Sequence, residues 1–452
     1  MASKFHSQLT TIAAIASPIG MGAVSLVRIS GPDAITIADQ ATSGRASSFL
    51  PRTVHHCNVL TADGGIIDDG LMTIFHGPHS FTGEDSVEFT GHGGILVTSE
   101  VLNRLLACGA THAAPGEFSQ RAFLNGKLDL TQAEGIMDLI SAQTRLSLRA
   151  ARSQLQGTLG RRTTAARDDL LEILAHLEAW IDFPEEGIDP QTGHLLRGKI
   201  HHILATVDTL LATATQGRIL REGVHTVIFG EPNVGKSSLL NHLLGFERAI
   251  VSELAGTTRD TIEEVINLGG IPLRLVDTAG VRDATDRIEA EGIQRTVRQI
   301  EAADLLLEIC DASLPRPSVA LLPAHAAQHL LILNKSDLGE HPSWASCEAI
   351  RVSCTHGTGF KTLATVISET LRFNDADWGE HAVAINSRHQ ASLTLARTGL
   401  LAALELLDDQ NSDAELAAID LREALDALGE IPGKVDSEDL LGVIFSRFCI
   451  GK

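Results

Sequence analysis

An eight-residue segment near the middle of the chain has residue types and spacing suited to binding phosphate. Residues 230–237 read Gly-Glu-Pro-Asn-Val-Gly-Lys-Ser, which fits the pattern G-x-x-x-x-G-K-S. An apolar run, 224–229, precedes it as a predicted strand, and a predicted helix follows. Lys236 would reach the β- and γ-phosphates and the Ser237 hydroxyl would bind Mg²⁺. The alternative is a glycine-rich turn before an ordinary helix.

Two strand ends farther along the chain carry polar residues suited to Mg²⁺ and to guanine. The predicted strand 273–277 runs into a D-x-x-G motif, in which Asp277 would hold Mg²⁺ through water. The predicted strand 330–334 runs into Asn-Lys-Ser-Asp, residues 334–337. An aspartate there accepts both the N1–H and the N2–H₂ of guanine, a donor pair that adenine lacks.

Two shorter signals complete the set. Residues 256–260 read Gly-Thr-Thr-Arg-Asp, and a threonine in such a switch completes the Mg²⁺ shell and senses the γ-phosphate. Ser353 and Cys354 stand where GTPases read the guanine O6 with backbone groups. Together with the phosphate loop, these four motifs in their order along the chain predict a P-loop GTPase domain with a mostly parallel sheet between helices.

One position departs from the Ras-like pattern. Val281 follows D-x-x-G directly, where Ras-like enzymes have a glutamine that orients the attacking water. Another group must then position the water, and four carboxylates lie nearby: Asp283, Asp286, Glu289 and Glu291. Arg259 and Arg282 are possible arginine fingers, although a surface role suits them equally. A bound monovalent cation is the other possible source of positive charge.

Composition sets outer limits on the protein. A chain of 452 residues with 44% hydrophobic and 21% charged residues predicts a globular protein of two to four domains. The net charge of −21 argues against a protein that binds nucleic acid over its whole surface. Six scattered cysteines predict neither zinc nor disulfides. The sequence predicts neither a membrane span nor a signal peptide. We therefore expect a cytoplasmic location.

The flanking segments carry weaker signals. Arg28 lies in a predicted strand, 23–29, as either a solvated edge charge or a residue aimed into a site. Glycines surround a short strand, 86–89, whose Glu88 carboxylate suits a planar N–H pair on a heterocycle. Residues 130–180 and 195–217 have helical periodicity.

A basic stretch lies within the first helical segment. Arg145, Arg149 and Arg152 share one helical face, three more arginines follow by residue 167, and no acidic residue intervenes. Such a stretch in an acidic protein suits RNA or partner contact, or it is simply a solvated helix face. Residues 387–409 and 413–428 are also helical by period, which predicts a helical domain interrupted by the GTPase domain.

Six segments in order resemble the MnmE/TrmE family of GTPases that modify the wobble uridine of tRNA. The resemblance covers the whole chain and rests on the residues 23–31, 80–85 with 91–94, 115–125, 182–186, 256–260 and the terminal Cys449-Ile-Gly-Lys452. It implies an α/β plus α fold: an N-terminal α+β folate-binding domain, a discontinuous helical domain and an inserted Ras-like P-loop GTPase domain. The implied bounds are 1–126 for folate binding and dimerisation, 127–222 and 379–452 for the helical domain, and 223–378 for the GTPase.

The resemblance also implies the ligands and their residues. A tetrahydrofolate derivative, in the 5,10-methylene or 5-formyl form, would contact Arg28, Glu88, Lys127 and Lys452. Mg²⁺ would be bound by Ser237 and Thr258, and K⁺, in place of an arginine finger, by Asn233, Ser252, Leu254 and Thr257. Glu289 matches the carboxylate that orients water. The GTP contacts are predicted at Asn233, Val234, Gly235, Lys236, Ser237, Ser238, Ser252, Glu253, Leu254, Ala255, Gly256, Thr257, Thr258, Asp277, Thr278, Ala279, Gly280, Asn334, Lys335, Asp337, Ser353 and Cys354.

By the same resemblance the chain forms a homodimer and works with MnmG, a flavin- and NADH-using partner, in a heterotetramer-type complex on tRNA. The pair would add a carboxymethylaminomethyl or aminomethyl group at C5 of U34. One alternative is a ribosome-assembly GTPase, which shares the phosphate loop and N-K-x-D but carries a second GTPase domain or another RNA-binding module. A second is a folate- or nucleotide-sensing regulator whose GTPase serves only as a switch.

Overall fold

The chain forms two compact units. In the computed structural model the described residues are 10–42, 46–182, 192–246, 263–277, 300, 302–317, 328–371, 383–407, 413–433, 441, 444–446 and 448–451. The first unit consists of Met1–Met137 with Leu428–Lys452, and the second of Asp138–Ala427. The two ends of the sequence therefore belong to the same unit.

The first unit is built on a six-stranded sheet. Its strands are β1 (Ile12–Ile15), β2 (Val24–Ser30), β3 (Val54–Leu60), β4 (Ile66–Phe75), β5 (Ser86–His92) and β6 (Thr111–His112). Their order is β3-β4-β5-β2-β1-β6, and neighbouring strands are antiparallel except β1 and β6. Strand β2 lies one residue later than the predicted strand 23–29, and β5 continues three residues past the predicted 86–89.

The helices of the first unit are α1 (Ala34–Ala41), α2 (Ile95–Ala107), α3 (Glu117–Leu124) and most of α4 (Leu130–Ser141). Alternate residues of β2, Val27 and Ile29, are buried with Ile74 of β4 and Val101 of α2 in one apolar core. This alternation is the period of a strand with one face on the core. The antiparallel sheet with helices on it confirms the predicted α+β architecture of this unit.

The second unit contains the predicted parallel sheet. Its strands are β7 (Val224–Phe229), β8 (Glu263–Leu268), β9 (Ile271–Asp277), β10 (Leu305–Asp311), β11 (Gln328–Asn334) and β12 (Ile350–Arg351), in the order β12-β11-β10-β7-β9-β8. All neighbours are parallel except the hairpin of β8 and β9. The near-continuous burial of β7 and β10 is typical of parallel strands covered on both faces.

The remaining helices lie in the second unit, except that the last one ends three residues past the boundary of that unit at Ala427. They are α5 (Arg145–Leu155), α6 (Thr158–Asp182), α7 (Thr192–Leu211), α8 (Ala214–Glu222), α9 (Lys236–Phe246), α10 (Phe360–Thr370), α11 (Ser387–Leu406) and α12 (Ala414–Glu430). Helix α7 packs against α6 and α11. The helical run predicted for 130–180 is thus three helices, because Thr144 caps α5 and Gly157, at φ +74°, ends the turn before α6.

The C-terminal segment is compact with the N-terminal unit. Residues 428–452 belong to the first unit, and the predicted range 379–452 of the helical domain stays a prediction. Phe445 and Phe448 are buried there against Leu130 of α4, and the Cys449 carbonyl accepts a hydrogen bond from Gly116 N–H at 3.3 Å. The predicted boundaries near 126, 222 and 378 stay predictions. None of the described helices is long and apolar enough to cross a membrane.

Candidate functional site

The phosphate loop follows β7 at the carboxyl edge of the parallel sheet. Its backbone takes the left-handed region at Asn233 (φ 65°) and a positive φ at Gly230 and Gly235. A Cβ on Gly230 would collide with the Ile309 carbonyl, so glycine is required there by contact as well as by conformation. Helix α9 then begins at Lys236, which places its N-terminal N–H groups at the loop.

The lysine of the phosphate loop donates hydrogen bonds to the backbone at the start of the loop. The Lys236 ammonium donates to the Gly230 carbonyl at 2.8 Å and to the Glu231 carbonyl at 2.7 Å. Phosphate oxygens are stronger acceptors than neutral carbonyls because the hydrogen bond is then charged on both sides. Ser237 is exposed in the first turn of α9, where its hydroxyl is accessible to a hard cation such as Mg²⁺.

The residues predicted to contact the guanine base come together at the ends of β11 and β12. The Asn334 side chain is 2% exposed; its Nδ2 donates to the Val234 carbonyl at 2.9 Å, and its Oδ1 accepts from the Cys354 N–H at 3.2 Å. One buried amide therefore joins the phosphate loop to the loop after β12. The sequence motif predicted a contact with nucleotide for Asn334, and the structure shows this bridging role.

Asp337 is placed by the same loops. A hydrogen bond from Ser353 holds the pKa of Asp337 below its usual range, so the carboxylate is charged at neutral pH. His356 Nδ1 lies 3.7 Å from an Asp337 carboxylate oxygen. An ionised carboxylate is the acceptor that the N–H pair of guanine requires.

Asp311 lies at the same edge of the sheet and belongs to none of the predicted motifs. It ends β10, is paired in register with Asn334, and accepts from the Lys335 ammonium at 2.6 Å. Burial opposes ionisation of Asp311, but hydrogen bonds from Lys335 and Ser313 outweigh it and keep its pKa below the usual range. Its position at the end of a buried strand, directly before Ala312-Ser313, was the available sequence signal.

Several predicted residues lie outside the described part of the chain. They are Ser252, Glu253, Leu254, Ala255, Gly256, Thr257, Thr258, Thr278, Ala279, Gly280, Glu289 and Lys452. Val281 and the other three candidate carboxylates also lie outside it. Asp277 is described as the last residue of β9, beside Ile228 of β7. The D-x-x-G strand end is therefore adjacent to the strand that precedes the phosphate loop.

A second cluster lies in the first unit. Arg28 and Glu88 face each other in register on β2 and β5, and the Arg28 Nη2 is 2.7 Å from the Glu88 Oε1. The guanidinium lies 5.4 Å from the Phe81 ring centre and 5.7 Å from that of Phe118. β2 has neighbours on both sides, so the reading of Arg28 as an edge charge was wrong.

The loop between β4 and β5 is anchored to helix α3 beside this cluster. Arg121 is 2% exposed and forms ion pairs with Glu84 at 3.2 Å and Glu117 at 2.8 Å. Asn125 donates to the Thr82 carbonyl, and the exposed Lys127 donates to the Pro78 carbonyl at 2.9 Å. The structure thus brings Lys127 to the loop that carries Phe81, whereas Arg121 and Glu84 were not predicted by sequence.

Comparison with known proteins covers nearly the whole chain. The family model for the GTP-binding protein TrmE N-terminus matches residues 11–127, and that for the MnmE helical domain matches residues 130–449. The second range includes the parallel-sheet region, in agreement with helical segments on both sides of a GTPase domain.

Named relatives match over the same length. The tRNA modification GTPase MnmE of Akkermansia muciniphila is 51% identical over 98% of this chain and 99% of that protein. Its counterpart from Chloroflexus aurantiacus is 47% identical over 98% and 99%. Among solved structures, the G domain of the T. maritima FeoB iron transporter matches 32% of this chain and 96% of that chain at 24% identity and a TM-score of 0.25. The chain therefore belongs to the MnmE family of tRNA modification GTPases.

Proposed function

We propose that this chain is a K⁺-stimulated GTPase that acts with the flavin-dependent protein MnmG on tRNA. The pair adds a carboxymethylaminomethyl or aminomethyl group at C5 of U34, with a one-carbon unit carried by tetrahydrofolate. The observation that carries the proposal is the likeness to tRNA modification GTPases over 98% of the chain. The GTPase activity in this proposal is supported by the motif residues that lie at the carboxyl edge of the parallel sheet in the second unit.

In this proposal the nucleotide lies along the carboxyl edge of the parallel sheet. Lys236 exchanges its two loop carbonyls for phosphate oxygens, and Asp337 accepts the guanine N–H pair. Ser237 and Thr258 hold Mg²⁺, which neutralises charge on the phosphates. Asn334 keeps the two loops in register while the nucleotide binds.

One proposed K⁺ ligand, Asn233, belongs to the same loop. Asn233 is exposed in a left-handed conformation, which turns its side chain out of the loop backbone. Ser252, Leu254 and Thr257 are the further proposed ligands. Positive charge near the phosphates stabilises the transition state as an arginine finger does in other GTPases. Because Val281 cannot orient water, Glu289 takes that role.

The folate derivative is proposed to bind at the Arg28–Glu88 cluster, where Lys127 and the terminal Lys452 attract its glutamate tail. Arg28 and Glu88 are both half-buried, and the Arg28 guanidinium lies 5.4 Å from the ring centre of Phe81, an exposed ring that can stack on a flat heterocycle. Glu88 can accept the pteridine N–H pair while it keeps its contact with Arg28. The first unit is also proposed to mediate the homodimer.

The tRNA reaction is tested in cells that lack this protein. Mass analysis of U34 should show loss of the C5 substituent and its return on complementation with the wild-type chain. Complementation by Lys236→Ala should fail, because the β- and γ-phosphate contacts are lost. Unchanged U34 in the deletion strain would reject the proposal. A ribosome-assembly defect with normal U34 would favour the alternative function.

The cation proposal has its own test. GTP turnover by the purified protein should be faster in K⁺ than in Na⁺ at equal ionic strength, and equal rates would contradict a K⁺ site. Glu289→Ala should lower turnover by about 10²-fold or more, the usual effect of losing a residue that handles the water proton. Glu291→Ala, a nearby carboxylate with no proposed role, is the matched control and should turn over normally.

A further inference from the structure

Helices α5 and α6 concentrate positive charge in an acidic protein. Between residues 145 and 167 there are six arginines and no lysine or acidic residue, although the whole chain has a net charge of −21. The six are Arg145, Arg149, Arg152, Arg161, Arg162 and Arg167. Nothing proposed above for GTP, K⁺ or folate uses them.

The fold directs the first three arginines to the surface. The opposite face of α5 buries Leu146 and Ala150 in the core of the second unit, and the Ser147 hydroxyl donates to the Leu220 carbonyl at 2.6 Å. Arg145, Arg149 and Arg152 are consequently exposed. They span seven residues, which is about 10 Å along a helix.

Helix α6 continues the basic surface. Arg161 and Arg162 are exposed in its first turn, and the Arg161 guanidinium donates to the Gln156 carbonyl at the end of α5. Arg162 also lines a cleft of about 430 Å³ between α6 and α7, together with His202, Thr206 and Asp169. The basic surface therefore runs from α5 across the turn into this cleft.

Several charges on this surface lack an acidic partner among the described residues. Within the part of the chain that the structure describes, Arg145, Arg152 and Arg162 form no ion pair, and Arg167 pairs with its neighbour Asp168. Three other exposed cations of the unit are paired: Lys199 with Glu172, Arg397 with Asp208 and Arg422 with Glu178. Exposed positive charge without counter-charge is the electrostatic footprint of a polyanion site.

We propose that this arginine surface, the exposed side chains of residues 145–162 on α5 and α6, binds the phosphate backbone of tRNA. Arginine suits this role because its planar fork donates two parallel hydrogen bonds to a phosphate. An acidic protein partner would also be attracted to this surface. A phosphate backbone is favoured because every charged residue between 145 and 162 is an arginine, and no acidic residue is present to pair with a basic residue of a protein partner. The inference rests on the proposed function, which supplies the RNA.

The test compares two triple variants with equal loss of charge. Arg145→Gln/Arg149→Gln/Arg152→Gln removes three arginines of the surface, and Lys199→Gln/Arg397→Gln/Arg422→Gln removes three paired cations of the same unit. Each full-length protein, alone and with MnmG, is titrated into fluorescently labelled tRNA from about 50 to 200 mM salt. GTP turnover and thermal unfolding of each variant show whether it folds.

The arginine variant should bind at least about tenfold more weakly at low salt, and the slope of log K against log salt should shrink by about one for each arginine lost. The control variant should match wild type. Unchanged affinity and slope in the arginine variant would overturn the inference, as would undetectable tRNA binding by wild type in both settings. So would normal tRNA binding with lost MnmG binding, which would assign the surface to a protein partner.

The outcome is independent of the test of the proposed function. If U34 is modified normally in cells without the protein, the proposed function fails whatever the titration shows. If U34 modification depends on the protein and the titration shows no difference, only the arginine surface is rejected.

Discussion

At the scale of single residues, the described half of the nucleotide site depends on buried polar groups with two partners. Asn334 bridges Val234 in the phosphate loop and Cys354 in the loop after β12, and Asp311 holds Lys335. Each such group is costly to leave unsatisfied, because water does not reach the partner that remains. The loops proposed to read the base are therefore held in position by protein contacts.

Replacing Asn334 should uncouple these loops. Asn334→Ala leaves two backbone groups without partners and should lower the free energy of unfolding of the second unit by about 2–4 kcal/mol. Binding of a fluorescent GDP analogue should weaken in parallel. Asn334→Asp keeps the acceptor for Cys354 but sets an oxygen against the Val234 carbonyl, so it should be at least as damaging as alanine. A harmless aspartate would show that the Val234 contact is unimportant.

A pH dependence is expected at His92. Its Nδ1 lies 2.7 Å from the carboxylate of Asp68, and that hydrogen bond raises the pKa of His92. A folded pKa above the unfolded value of about 6.5 stabilises the fold fully below pH 6.5, and the effect is lost as the pH rises through the folded value.

The measurement is thermal unfolding of wild type and His92→Gln between pH 5.5 and 9. The Tm difference should be largest at the acid end and shrink with rising pH. With Asp68→Asn present in both proteins, the pH dependence should disappear, because the carboxylate that raises the pKa is gone. A Tm difference that grows with pH would contradict the assignment.

At the scale of elements, the phosphate loop requires glycine at one position, whereas helix α9, which follows the loop, has room for a larger residue at another. Gly235 has φ +103°, and a Cβ there would collide with the Nδ2 of Asn334. Gly245, near the end of α9, has open space around its Cβ position. The two positions lie ten residues apart in sequence, so they separate the needs of the loop from those of the helix.

Gly235→Ala should abolish GTP binding and lower the Tm of the second unit, because backbone strain and the clash with Asn334 act together. Gly245→Ala should leave GTP binding unchanged and stabilise the protein by up to about 1 kcal/mol, since alanine is the better helix former. Nucleotide titration and thermal unfolding of both variants check this. Equal GTP affinity in the two variants would refute the role given to Gly235.

At the scale of the molecule, the two ends of the chain form one unit and the GTPase sheet lies in the other. Phe445 is 2% exposed and packs against Phe123 and Phe448, whereas Ile450 is 60% exposed in the same segment. The C-terminal segment therefore supplies core to the unit that contains Arg28 and Glu88.

Phe445→Ala should destabilise the first unit by about 3–5 kcal/mol, the usual cost of deleting a buried phenyl ring. Two compact units need not unfold together, so calorimetry should show an early transition while GDP binding by the second unit persists. Ile450→Ala is the matched control and should unfold like wild type. A uniform shift of one transition would show that the units do not unfold independently.

The sequence by itself determined the chemistry of the second unit. The motifs at Gly230, Asp277 and Asn334 each end a strand, as predicted, because parallel strands present their carboxyl ends at one edge. Family membership and the α/β plus α fold were also predicted correctly, since they rest on local residue patterns that no packing detail alters.

Only the tertiary structure decided which distant residues meet. Arg28 and Glu88 are sixty residues apart and pair because β2 and β5 are neighbours in one register. Asp311 with Lys335, Arg121 with Glu84, and Phe445 with Phe123 are likewise brought together by packing. Such contacts depend on strand order and on which helix face is buried, and a sequence period specifies a face but not the partner it meets.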